Sequence, residues 1–210
     1  MNTTPNVALI DYGAGNQASV ARAFKYIGAN VFVLSRPQSM QKYSHIVLPG
    51  VGSFKSSIKK IRELNWDECL IDIAKSGKPL LGICLGMQLL FTEGYEDGFS
   101  FGLDIIPGEV NSFSFDPKIF KLSIPHVGFD TVKVKNDSML FKNFSETLDF
   151  YFTHSYRAIC SDKYTASETI YGENFVSTVE KDNVVGTQFH PEKSQKNGLN
   201  LLKNFLNNYK

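Results

Sequence analysis

No stretch of this sequence is long and apolar enough to disappear into a membrane. The longest, Pro79 to Phe91, is interrupted by Gly82 and Gly86, and the opening Met1-Asn2-Thr3-Thr4-Pro5-Asn6 lacks the basic start and apolar follow-on of a leader. Charge of one sign is lacking too. The 22 basic and 21 acidic residues are interspersed for a net charge of +1, so nothing advertises a nucleic-acid or membrane surface, and small polar partners are expected. Cysteine is scarce: Cys69, Cys84 and Cys160 are odd in number and scattered, which argues against a disulfide framework and a zinc cluster and fits a reducing, cytoplasmic compartment. Repeats, low-complexity tracts and linkers are missing as well. With 210 residues, 42 % of them hydrophobic, the chain is expected to form a single domain spanning 1–210.

What is present in the first 95 residues is an alternation of β-rich and helical patterns. Val7 to Tyr12, Asn30 to Leu34, His45 to Leu48 and Pro79 to Ile83 read as strands; Asn16 to Ile27, Ser53 to Leu64 and Asn65 to Lys75 read as helices. The fold class expected is therefore α/β, a central mixed, largely parallel sheet flanked by helices. After Gly94 short strands and turns take over, at Glu109 to Phe113, Asp130 to Val134, Phe150 to Thr153, Thr165 to Tyr171 and Val176 to Glu180, predicting an antiparallel extension of the same sheet. An amphipathic helix, Gly198 to Tyr209, closes the chain.

Chemistry concentrates at Gly82-Ile83-Cys84-Leu85-Gly86, between the apolar run Pro79-Leu80-Leu81 and a predicted helix beginning Met87-Gln88-Leu89-Leu90-Phe91. A strand that turns this sharply into a helix needs small residues two before and two after the nucleophile, because a Cβ there would strike the neighbouring chain. Free N–H groups at a helix start favour thiolate over thiol, so Cys84 is the candidate nucleophile, expected at an exposed, polar site. Near the other end, Val184 to Phe189 reads as a strand delivering His190 to the sheet edge where α/β folds keep ligands. Pro191 stops the ladder, and Glu192, two residues on, can hold one imidazole nitrogen while the other takes the thiol proton.

Acyl transfer also needs two N–H donors for the developing oxyanion. One is expected from Leu85, directly after the nucleophile, and the second from the loop Pro49-Gly50-Val51-Gly52. A different class of function is suggested by Gly13-Ala14-Gly15-Asn16-Gln17-Ala18, which satisfies a dinucleotide fingerprint. Against that NADP-binding reading stand Asp11 beside the pyrophosphate position and Ser35-Arg36 where a ribose-binding carboxylate belongs; a redox sensor would need a resolving thiol that the sequence does not indicate. His126 and His154 have no metal-site spacing, and His45 reads as a strand-edge residue.

Together these runs resemble the class I, triad-type glutamine amidotransferases and, within them, the glutaminase subunits of histidine biosynthesis. Nearly the whole chain takes part, through Asp11 to Asn16, Pro49 to Phe54, Gly82 to Gln88, Ile124 to Gly128, Tyr151 to Tyr156 and Gly186 to Ser194. The resemblance implies hydrolysis of L-glutamine by Cys84, His190 and Glu192 without a cofactor or metal, with Gly50, Val51 and Gly52 as a mobile oxyanion loop. It further implies substrate contacts from Gln88 and from the backbone of Ser155 and Tyr156. Asn16, His126, Tyr151 and Lys193 match positions expected to face a (β/α)8-barrel synthase in a heterodimer that consumes the ammonia. One departure stands out: Gly128-Phe129-Asp130 replaces the usual Gly-Trp-Asn, and Val127 the common methionine. It leaves open a paralogue supplying ammonia for amidation of a surface sugar.

Overall fold

The computed structural model describes residues 4–135, 138–144 and 147–209; residues 1–3, part of the N-terminal run read above, lie outside it. Strands and helices alternate at first: β1 (Asn6–Ile10), α1 (Gln17–Tyr26), β2 (Asn30–Leu34), β3 (His45–Leu48), α2 (Phe54–Glu63), α3 (Trp66–Lys75), β4 (Leu80–Ile83) and α4 (Leu85–Gln88). Then strands dominate: β5 (Phe91–Gly94), β6 (Ser100–Phe101), β7 (Ile106–Ser112), a short α5 (Pro117–Phe120), β8 (His126–Val134), β9 (Thr147–His154), β10 (Tyr156–Cys160), β11 (Thr165–Tyr171), β12 (Glu173–Lys181) and β13 (Val184–Thr187). Helix α6 (Gln195–Asn208) ends the chain.

All of these strands join one sheet of 13, in the order β2-β1-β3-β4-β13-β12-β10-β7-β5-β6, with β11, β8 and β9 branching from β12. Pairing is parallel from β2 through β13, whereas beyond β13 it is antiparallel except between β5 and β7. The antiparallel extension is thus larger than the parallel block.

The parallel strands are apolar on both faces because helices cover both. Ala8, Ile46, Leu48 and Leu80 face one side, with Ile58 and Ile61 of α2 and Trp66 and Leu70 of α3; Val7, Leu9, Val47 and Leu81 face the other, with Val20 and Phe24 of α1 and Leu202 and Phe205 of α6. This two-residue alternation sends neighbouring side chains into different cores. On α2, Phe54, Ile58 and Ile61 are buried while Lys55, Lys59, Lys60 and Arg62 face water. His45 is a buried, satisfied strand residue, its Nε2 3.0 Å from the Tyr209 carbonyl oxygen. Truncating a fully buried leucine such as Leu81 would cost about 2–5 kcal/mol.

The predicted helix through Phe91 is cut short. Helix α4 ends at Gln88, and the carbonyls of Leu89 and Leu90 instead accept from Leu103 (2.9 Å) and Ile105 (2.9 Å), so Phe91 enters β5.

Candidate active site

Parallel register sets the site. Leu48 of β3 pairs with Gly82 of β4, and Gly82 with Gly186 of β13, so the loops after these three strands emerge side by side at one edge. Cys84 sits at φ 52°, ψ −109°, a conformation that L residues rarely adopt. Its N–H donates to the Thr187 carbonyl at 2.7 Å, fastening the elbow to β13. The flanking glycines are required by space: a Cβ at Gly82 would fall 2.7 Å from the Met87 nitrogen, and one at Gly86 1.9 Å from the Leu48 oxygen. Gly50 packs on Leu85 and Gly86, which lays the glycine loop against the elbow.

The next strand end supplies the imidazole. His190 N–H donates to the Tyr151 carbonyl at 2.8 Å, and the Ser194 hydroxyl donates to the His190 carbonyl at 2.7 Å, fixing the residue from both sides. Its Nδ1 lies 2.8 Å from Glu192 Oε1, and both side chains are fully buried. Burial disfavours the imidazolium, but the nearby Cys84 sulfur and the Glu192 carboxylate outweigh it and push His190 up to about 10. For Glu192, burial works against the carboxylate, yet hydrogen bonding to His190 and Asn16 holds it below its ordinary range. Ring atom Nε2 has no hydrogen bond of ordinary geometry, and the Cys84 sulfur is among the groups that raise the ring. Cys84 itself is 6 % exposed, so the site is buried rather than open, contrary to expectation.

Beside the sulfur lies a cavity of about 200 Å³, lined by Val51, Gly52, Leu85, Gln88, Thr153, His154, Ser155 and Tyr156 together with Cys84 and Glu96. Gln88 Nε2 donates to the Tyr156 carbonyl at 2.9 Å. Glu96 was missed from sequence: in Tyr95-Glu96-Asp97-Gly98 it looks like any turn acid, yet its carboxylate accepts from Phe54 N–H at 2.8 Å and faces the cavity. Larger clefts, of about 440 and 1060 Å³, open among residues such as Asn183, Lys78 and Pro79, near the starts of β13 and β4 and away from Cys84.

The profile of the glutamine amidotransferase class-I family matches residues 8–209. The chain belongs to that family. It is 45 % identical over 201 residues to imidazole glycerol phosphate synthase subunit HisH 1 of Campylobacter jejuni, covering 95 % of this chain and 98 % of that one. Identity is 43 % to the HisH subunit of Archaeoglobus fulgidus, with 96 % and 98 % covered. Among solved structures, a glutamine amidotransferase of Thermotoga maritima superposes with a TM-score of 0.64 at 20 % identity, covering 99 % of this chain and 83 % of the other; PurLQS of the same organism gives 0.70 at 18 %, covering 99 % and 100 %.

In this amidotransferase the glycine-rich loop after β1 reaches the Glu192 carboxylate. Asp11 Oδ1 accepts from Gly13 N–H (2.9 Å) and Gln17 Nε2 (2.7 Å), and Asn16 Nδ2 donates to Glu192 Oε1 at 2.5 Å. Asn16, expected at a partner-facing mouth, is thus half-buried against the carboxylate. Tyr151 is half-buried and Lys193 exposed, the ammonium 5.6 Å above the ring. His126 corrects the expectation more strongly. It is 2 % exposed, because even-numbered residues of β8 face inward, and it stacks on Phe152 and Tyr171.

The Tyr156 carbonyl can only accept, so His154 Nδ1, at 2.8 Å, carries a proton; burial drops His154 to about 3, leaving its Nε2 bare. His126 Nδ1, 3.1 Å from that Nε2, must then donate. Its own Nε2, lowered toward neutrality by burial against the pull of Asp130, is left facing the Asp130 carboxylate at 3.4 Å, acceptor against acceptor. Among the described residues no group of His, Cys, Asp or Glu could hold a metal ion, and no helix is long and apolar enough to cross a membrane.

Proposed function

We propose that this chain is the glutaminase subunit of an imidazole glycerol phosphate synthase, splitting L-glutamine into L-glutamate and ammonia for a (β/α)8-barrel synthase subunit. The observation that carries the reading is the buried row Cys84, His190, Glu192 ending at a cavity of about 200 Å³. Cys84 Sγ attacks the side-chain amide carbon, and the carbonyl oxygen, now negative, is taken up by the N–H of Leu85 and a donor from Gly50-Val51-Gly52. His190, protonated on Nε2 and steadied through Nδ1 by Glu192, gives that proton to the departing nitrogen, so ammonia leaves and a thioester remains. Water then attacks the thioester, its proton passes to His190, and glutamate departs.

Gln88 and the backbone of Ser155 and Tyr156 hold the substrate, and Glu96 suits its α-ammonium. The docking face for the synthase comprises Tyr151, Lys193 and the outward residues Val127 (56 % exposed) and Phe129 (51 % exposed), which form an apolar strip beside a cation. Phe129 and Asp130 are also what favours the second reading, a paralogue serving sugar amidation. The test has two arms. Replacing Cys84 by alanine is expected to abolish glutaminase turnover; retained turnover removes the nucleophile. Restoring growth without histidine to a strain lacking this subunit supports the first pathway, and failure with glutaminase activity intact supports the second.

A further inference from the structure

One side chain in the site has no part in the mechanism above. Gln188 follows β13 immediately, is 0 % exposed, and places its amide between the nucleophile and the substrate-binding Gln88. Its Nε2 lies 3.7 Å from Cys84 Sγ, within reach of a sulfur hydrogen bond, and its Oε1 lies 3.0 Å from Gln88 Nε2. We propose that Gln188 is a dedicated hydrogen-bond donor to the Cys84 thiolate, its orientation locked by a chain of amides that starts at a backbone carbonyl.

The Tyr156 carbonyl accepts only, so the Gln88 atom 2.9 Å away is its NH2 group. The second hydrogen of that group goes to Gln188, which therefore presents its oxygen to Gln88. What remains for the sulfur is the Gln188 NH2, a group that cannot accept. The backbone holds this arrangement too, since Gln188 N–H donates to the Ser177 carbonyl at 2.9 Å. Another contact of the sulfur has the opposite preference: the Thr153 carbonyl, 3.8 Å away, is an acceptor that suits a thiol and opposes a thiolate. In a site walled off from water, a fixed donor offsets that bias and keeps the anion aimed at the cavity. Such a bond to a charged group shifts the thiol–thiolate balance by about one to two pH units.

This inference rests on Cys84 being the nucleophile, and the test separates the two. Iodoacetamide alkylates the thiolate, forming an S–C bond and releasing iodide, and mass spectrometry distinguishes the Cys84 adduct from those at Cys69 and Cys160. The expected result is that Gln188→Met moves the pH profile of Cys84 alkylation alkaline by about one to two units, and Gln188→Glu by more, in variants whose circular dichroism matches the native chain. Profiles that coincide with the unaltered protein's overturn the proposal. Should neither variant fold, the side-chain amide resonances of Gln188 in the unaltered protein decide: they are expected to move as the sulfur ionises, and their standing still overturns it. Alkylation at Cys84 that spares glutaminase turnover would instead remove the nucleophile reading.

Discussion

Two buried histidine clusters lie beside the same cavity and hold opposite charge states. His190 is flanked by a carboxylate and a sulfur and is pushed up to about 10; His154, equally buried, has a carbonyl, a neutral ring and His190 for company and drops to about 3. Burial disfavours the cation in both, so what differs is the partner set. In the proposed mechanism the first cluster moves a proton during turnover. The second holds its protons still, and thereby fixes the Tyr156 carbonyl to which Gln88 is anchored.

The largest effects should come from dismantling the charged cluster. His190→Asn is expected to lower glutaminase kcat by about 10⁴-fold or more, and Glu192→Gln by less, on the order of 10²–10⁴, because an amide still orients the ring but no longer favours its cation. Steady-state ammonia release measures both, and a Glu192 variant as damaged as the His190 variant would mean that orientation and proton transfer are inseparable here.

Stability against pH sharpens the contrast next. A raised His190 contributes stability that is complete below about 6.5 and lost as pH climbs through about 10; a lowered His154 makes the folded state lose stability as pH falls from about 6.5 toward 3. Each limb approaches about 1.4 kcal/mol per pH unit for its one proton. Urea unfolding across pH is expected to give a maximum near pH 6.5 with a flank on either side, and Cys84→Ala should soften only the alkaline flank. Equal softening of both would contradict the separation of the clusters.

Smaller effects test the groups that support each row. Asn16→Ala takes a donor from the Glu192 carboxylate and is expected to cut kcat about tenfold with KM nearly unchanged, as an interaction that acts through the imidazole should. Asp130→Asn substitutes an amide donor for the carboxylate facing His126 Nε2. At pH 7.5 this should stabilise the fold by about 0.5–1 kcal/mol in urea unfolding, and any destabilisation would refute the proton count given above.

The charged cluster was readable in the sequence because its geometry is local. Two glycines bracket Cys84, and Pro191 forces Glu192 back toward His190, so short-range sterics alone dictate the shapes. Their meeting in space followed from strand order, which the βα alternation also announces. The neutral cluster was not readable. Whether His126 faces inward depends on the phase of β8, and a one-residue difference in phase would turn its ring to solvent. Glu96 and Gln188 gain their roles from contacts across 42 and 104 positions of chain, to Phe54 and Cys84, which no local pattern encodes. Phe91 was misjudged for a related reason: Met87 to Phe91 is a short apolar run that fits helix and strand equally, and the decision falls to β7, which offers Phe91 a partner.

The backbone at Cys84, held at φ 52° and ψ −109°, bears on how this protein can change over evolutionary time. A glycine would rest there comfortably, so selection for robustness alone pulls toward discarding the sulfur proposed to react. The thiol persists at that bend only while the organism needs nitrogen delivered, and a lineage released from that need should lose it early while keeping a sturdy, inert shell.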